Sequence, residues 1–158
     1  MNKDAKYWIN KLNLQEHSEG GYFVETYKSE KFVNLPEYDG PRHACTAINY
    51  LLVRDQFSSF HRMKSDEIWH FYAGSRLSLH IIETRNRRLQ EVKLGADVDN
   101  GGLFQTVVKS GYWFAASDSL VGCTVSPGFD YCDWELGDIE TLARMYPQHK
   151  SIIEKYSR

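Results

Sequence analysis

Basic residues are not in excess in this chain: 158 residues carry 19 Lys and Arg against 21 Asp and Glu, a net charge of −2. A nucleic-acid-binding surface draws on a basic surplus, so no nucleic-acid partner is expected. The densest basic run, Arg85, Arg87 and Arg88 around Asn86, lies between two strand-like segments and reads as a solvated turn. No apolar run approaches the roughly 20 residues that span a bilayer. Met1 to Leu14 is polar and amphipathic, without the apolar centre of a signal peptide, so no membrane partner and a cytoplasmic location are expected. Cysteine is scarce: Cys45, Cys123 and Cys132 form no Cys-x-x-Cys pair and leave one over in any pairing. That fits reduced thiols better than a disulfide framework. Repeats, linkers and low-complexity tracts are also missing, which leaves a single domain over residues 1–158.

Aromatic residues are what the chain has in quantity: 14%, as ten Tyr, eight Phe and four Trp. Such side chains favour pleated, half-buried surfaces and predict a β-rich fold in which some rings line a cavity. Asp4 can cap a short helix with Trp8 and Leu12 on one face, ending near Leu14. Gly20-Gly21 then breaks the chain before a strand over 22–27, and 29–42, with Pro36, Gly40 and Pro41, reads as a loop. From His43 onward the signals are β: strands are predicted at 44–53, 57–61, 67–73, 77–81, 88–94, 104–109, 112–117, 120–126 and 130–135, with glycines mostly between them. This spacing predicts an all-β antiparallel sandwich or barrel. Asp138 can cap a helix carrying Leu142 and Met145 that stops at Pro147, and Ile152, Ile153 and Tyr156 suit a last short helix.

The stretch from Ser59 to Gly74 carries the most chemistry. His61 ends one strand, a polar turn follows, and Glu67 opens the next, a hairpin that brings an imidazole and a carboxylate to one end of a barrel. Alternation places Glu67, Trp69 and Phe71 on one face and Asp66, Ile68, His70 and Tyr72 on the other. Pro127-Gly128 predicts a turn that could set Asp130 at the barrel mouth, near Asp133 and Glu135.

These residues resemble the cupin superfamily. Its first motif is a His, a second His two residues on, a Glu and a following Gly; His61, Glu67 and Gly74 stand here, with Met63 in place of the second His. At the second motif Gly111 is kept, while Lys109 replaces a Pro and Phe114 replaces the ligand His. Three blocks, His17 to Tyr27, Phe60 to Tyr72 and Ser126 to Glu135, are similar to the signature blocks of one cupin family, small uncharacterised proteins catalogued as a domain of unknown function. The resemblance implies a single RmlC-like jelly-roll β-barrel with short terminal helices, and a homodimer. It implies no settled activity.

A divalent metal is disfavoured, because only His61 and Glu67 remain as ligands and two rarely hold Zn, Mn or Fe tightly. No cofactor is therefore expected. The first functional reading is metal-independent epimerase- or isomerase-like proton transfer on a sugar or nucleotide-sugar type ligand, with His61 as base, Glu67 as its orienting partner and Tyr72 as acid. His70, Trp69, Trp113, Phe114, Tyr22, Glu25 and Asp130 are the candidate ligand-binding residues, the rings as flat walls. A non-catalytic small-molecule binding or sensing module is the second reading, and a metal-dependent isomerase or dioxygenase the third. His17, His43, His80 and His149 have no partner nearby in sequence and read as structural.

Overall fold

The computed structural model describes residues 4–157, and the side chains at all of these but 54, 55 and 118. Helix α1 (Ala5–Leu12) starts where the Asp4 carboxylate accepts the Tyr7 N–H at 2.8 Å. It stops at Asn13, whose left-handed backbone (φ 53°) closes the last turn. Eleven strands follow: β1 (Gln15–Glu16), β2 (Tyr22–Lys28), β3 (Phe32–Val33), β4 (Arg42–His43), β5 (Thr46–Met63), β6 (Asp66–Ala73), β7 (Leu77–Ile82), β8 (Leu89–Leu94), β9 (Gln105–Val108), β10 (Trp113–Ser126) and β11 (Trp134–Leu136). Helices α2 (Ile139–Met145), capped by Asp138, and α3 (Lys150–Lys155) end the chain. Among the described residues no helix is long and apolar enough to cross a membrane.

All strands but β3 and β4 belong to one antiparallel ladder, folded into two layers by its two longest members. The first half of β5 pairs with β2 and the second half of β10 with β6, giving one layer in the order β1, β2, β5, β10, β6, β9. The second half of β5 pairs with β11 and the first half of β10 with β7, giving the other layer, β11, β5, β10, β7, β8. The result is the expected all-β jelly roll, built as a two-layer sandwich whose sheets do not close into a complete barrel. Two pairs of predicted strands, 44–53 with 57–61 and 112–117 with 120–126, are therefore single strands of 18 and 14 residues. Polar residues at the joins suggested turns. In fact the chain stays extended there, and a register shift between Ser117 and Ser119 carries β10 from one layer to the other. The predicted strand 130–135 is instead a short 3-10 turn, Tyr131–Asp133, followed by β11.

Between the layers lies the main core, with Tyr50, Leu52, Trp69 and Val121 from one sheet against Leu77, Leu79, Val92 and Phe114 from the other. The terminal helices cover the outer faces. Leu142, Tyr146, Ile153 and Tyr156 pack on Phe60, Ile82 and Trp113. Trp8, Ile9 and Leu12 pack near Tyr22, Leu51 and Leu120. One end of the sandwich stays open, and there the first layer, the β1–β2 turn and the loop before β11 surround a cavity.

Candidate functional site

The cavity holds about 260 Å³. His61 and Met63 from the end of β5, Glu67 from the start of β6, and Cys123 and Val125 from β10 form its buried part. Phe23 and Ile48 add an apolar wall, and Phe129, Tyr131 and Trp134 close the opposite side. Glu25, Lys28 and Asp130 stand at the exposed rim. Glu25 and Lys28 both reach it, despite opposite strand parity, because the β2–β5 register shifts between Glu25 and Tyr27.

Glu19 comes from a tight turn between β1 and β2. The His17 N–H donates to the Gly21 carbonyl at 2.9 Å and the Gly20 N–H to the His17 carbonyl at 3.0 Å. Gly21 has φ +76°, and a Cβ there would sit 2.6 Å from the Leu51 carbonyl oxygen, so this position demands glycine. The Tyr50 hydroxyl donates to the Gly20 carbonyl at 2.6 Å, and the Ser59 N–H to the Glu19 carbonyl at 3.1 Å. Pinned in this way to β5, the turn buries the Glu19 carboxylate, and its Oε2 lies 3.2 Å from His61 Nδ1. The Trp134 indole N–H donates to the same oxygen at 3.2 Å.

His61 is 2% exposed. Its Nδ1 lies 2.7 Å from the Ser59 carbonyl oxygen, which a β-bulge brings toward the ring: His61 pairs with Phe114 but Ser58 with Ala116. A carbonyl only accepts, so the Nδ1 atom carries a proton, and Nε2 is the nitrogen left to exchange one. Phe114 packs against the ring with centroids 4.0 Å apart.

Glu67 is the opposite case. It is buried, its Oε2 has no hydrogen-bond partner among the described residues, and burial followed by the nearby Glu19 charge pushes its carboxyl up to about 8. The neighbouring Trp69 indole and Cys123 thiol offset this only in part. Near neutral pH the group is therefore mainly a carboxylic acid, a proton donor. Burial, then Glu67 and Glu19, likewise hold the Cys123 thiol well above its ordinary value, so it is not a thiolate.

Several expected site residues lie elsewhere. The orienting carboxylate of His61 is Glu19, not Glu67. Tyr72 is 55% exposed on the outer face of β6, its ring over Gly122, and does not reach the cavity. His70 shares that outer face, with Nε2 3.2 Å from the Thr124 hydroxyl. Trp113 packs under the C-terminal helices, and Tyr22 lies on the α1 side of its sheet. Trp69 and Phe114 belong to the core between the layers, their rings 6.2 Å apart, and lie behind the cavity rather than on its wall. Glu25 and Asp130 do line it. Asp130 also caps the 3-10 turn, accepting the Cys132 N–H at 3.0 Å, which holds its carboxyl below the usual range. Asp133 is a structural anchor: Arg42 binds it through Nε at 2.6 Å and Nη2 at 3.1 Å. Glu135 makes a surface pair with Arg62 at 2.7 Å.

His17, read from the sequence as structural, lines the cavity beside Glu19. Its place in a short His-Ser-Glu-Gly-Gly run was the available signal, since a glycine-forced turn brings residues two apart to the same side.

A metal would meet a poor donor set. Met63 offers a thioether and Phe114 offers nothing. Among the described residues no three His, Cys, Asp or Glu side chains converge as a metal would require.

Comparison with known proteins accords with this architecture. Residues 6–137 match the Cupin superfamily family DUF985. The chain belongs to that cupin family. A solved hypothetical protein from Leishmania major matches 98% of this cupin and 99% of its own chain, at 37% identity and a TM-score of 0.92. Protein SO0799 of Shewanella oneidensis matches 99% of each chain at 38% identity and a TM-score of 0.90. The uncharacterized protein YML079W of Saccharomyces cerevisiae is 31% identical over 144 residues, 79% of this cupin and 71% of that protein. Oxalate decarboxylase from Bacillus subtilis shares the fold alone, at 15% identity and a TM-score of 0.58 over 36% of its chain.

Proposed function

We propose that this cupin is a metal-independent proton-transfer enzyme of the epimerase or isomerase class, acting on a small, polar, ring-bearing carbonyl compound such as a keto-sugar. One observation carries the reading. An imidazole, with Nδ1 bound to Glu19 and the Ser59 carbonyl, shares a cavity with Glu67, a carboxyl that burial keeps protonated. A positioned imidazole and a protonated carboxyl in one cavity are the kinds of group that acid–base catalysis at carbon uses. His61 Nε2 is the base, Glu19 holds its ring and stabilises the imidazolium that forms, and Glu67 is the acid in the role first given to Tyr72.

The volume of about 260 Å³ sits just below the usual range for drug-sized ligands. It suits one sugar ring, with a nucleotide carrier, if there is one, left outside the rim near Lys28. Phe23 and Trp134 offer apolar faces to such a ring. One oxalate decarboxylase neighbour is described by its Mn(II) centres. The donors around His61 do not fit such an ion, so no step here is routed through one.

The test is solvent-deuterium incorporation, followed by NMR, into free ketoses and nucleotide-linked keto-sugars. Exchange in wild type that disappears in His61→Ala and Glu19→Gln supports the reading. Exchange that survives in His61→Ala, or no exchange with any of them, overturns it. A sugar that binds tightly without exchange makes the cavity a binding or sensing site, the reading favoured by its largely apolar walls.

A further inference from the structure

We propose that His17 is a second working imidazole of this cavity, a neutral donor that binds the substrate's carbonyl oxygen while His61 takes the proton from the adjacent carbon. The proposal deepens the proton-transfer reading and rests on it. It restricts the substrate class to compounds with an acidic C–H next to a carbonyl.

The geometry around Glu19 carries it. The Glu19 backbone N–H donates to His17 Nδ1 at 3.2 Å. An amide N–H cannot face another N–H, so Nδ1 is unprotonated and the neutral ring carries its proton on Nε2. Glu19 Oε1 lies further off, 3.7 Å from the same nitrogen. Burial lowers the proton affinity of His17, with His61 acting the same way, and outweighs the pull of Glu19. Edge contacts with Phe23, at 4.7 Å, and Tyr50, at 5.5 Å, fix the plane of the ring. His61, on the other oxygen of Glu19, holds a proton on Nδ1, which leaves Nε2 as the nitrogen that takes the substrate's proton in this scheme. Both rings line the cavity, and the contacts that hold each of them run through Nδ1, which leaves Nε2 for a ligand. One carboxylate and its turn thus present the cavity with one imidazole acceptor and one imidazole donor.

That pair matches enolisation. The C–H bond breaks and its proton goes to His61 Nε2. The electron pair of that bond forms the C=C bond, and the carbonyl π pair moves onto oxygen, where the His17 Nε2–H donates a hydrogen bond. Return of a proton to the same carbon gives exchange or epimerisation, and to the neighbouring carbon isomerisation. No oxidant or reductant enters. A neutral imidazole suits the task because it stabilises the developing oxyanion without being deprotonated by it.

Two measurements test this. Long-range proton–nitrogen NMR of wild type should find the His17 proton on Nε2 and the His61 proton on Nδ1; a His17 proton on Nδ1 overturns the proposal. Titration with acetohydroxamate, a planar enediolate mimic, in EDTA should show binding that His17→Phe weakens at least tenfold (about the value of one hydrogen bond to an oxyanion). His17→Gln, which keeps a donor, should restore most of it. Equal binding by wild type and both variants overturns the role of His17; if exchange still requires His61, the proton-transfer reading stands. Wild type that does not bind acetohydroxamate overturns the proposal too, and absent exchange then removes the reading beneath it.

Discussion

Glu67→Gln should remove a pH dependence of stability that wild type carries. Burial and Glu19 raise this carboxyl from an ordinary 4.5 to about 8 in the folded protein. In the unfolded chain it ionises near its ordinary value, so between the two the folded state holds one more proton. Stability must therefore fall as pH rises, by about 1.4 kcal/mol per pH unit in the middle of that window. From about pH 5 to about pH 9 the loss is about 4 kcal/mol, which for a domain of this size lowers Tm by about 10–15 °C. Gln has nearly the same shape and never ionises, so the variant should match wild type near pH 5 and exceed it increasingly toward pH 9. Burial of His17 and His80 acts with the opposite sign, since their lowered proton affinities cost stability as pH falls. Those contributions are common to both proteins and cancel in the difference. Urea unfolding of both proteins at a series of pH values is the assay. Parallel stability curves across the window would refute the claim that the folded protein keeps Glu67 protonated.

Three further outcomes are expected. Asp133→Ala leaves the Arg42 guanidinium without its carboxylate and should cost clearly more in urea unfolding than Glu135→Ala, which at an exposed pair with Arg62 should cost less than about 1 kcal/mol; equal losses would contradict the anchoring role of Asp133. Gly137→Ala drives a methyl against Leu142 and to 2.8 Å from the Phe60 carbonyl oxygen, and should cost about 1–3 kcal/mol. At Gly122 the three atoms nearest to a new methyl all belong to the exposed Tyr72 ring, which can swing away, so the Tm of Gly122→Ala should move less. Met63→His adds an imidazole to those of His17 and His61 in the cavity, and calorimetry should show Zn(II) binding at least tenfold tighter than in wild type; unchanged affinity would refute the view that the thioether helps to deny the metal.

Much of the site was legible in local pattern, and where reading failed the pattern often held the answer. Strand alternation puts Tyr72 and His70 on the face opposite Glu67, and their outward position follows that rule, although the β6–β10 register shifts at Tyr72. Trp113 and Phe114 are consecutive in β10 and must face opposite ways: Phe114 meets His61, and Trp113 meets the C-terminal helices. Their shared assignment to a ligand wall ignored that parity. Glu25 with Lys28 is the reverse case, since only the irregular β2–β5 register lets both reach the rim.

The sequence by itself determined an all-β sandwich or barrel and the helices capped by Asp4 and Asp138, because alternation, capping and turn chemistry act over a few residues, while the resemblance to the cupin motifs implied the jelly roll and His61 and Glu67 as cavity residues. The tertiary structure decided which carboxylate meets which imidazole. Glu19 and His61 lie far apart along the chain, and their 3.2 Å approach depends on a glycine-forced turn docking on Tyr50 and Ser59. The roles of the Nδ1 atoms likewise depend on how the backbone is placed, an amide N–H that makes His17 Nδ1 an acceptor and a bulged carbonyl that makes His61 Nδ1 a donor. The protonated state of Glu67 depends on how completely its neighbours exclude water. Such properties arise from backbone dipoles and burial across distant segments, and no local spacing encodes them.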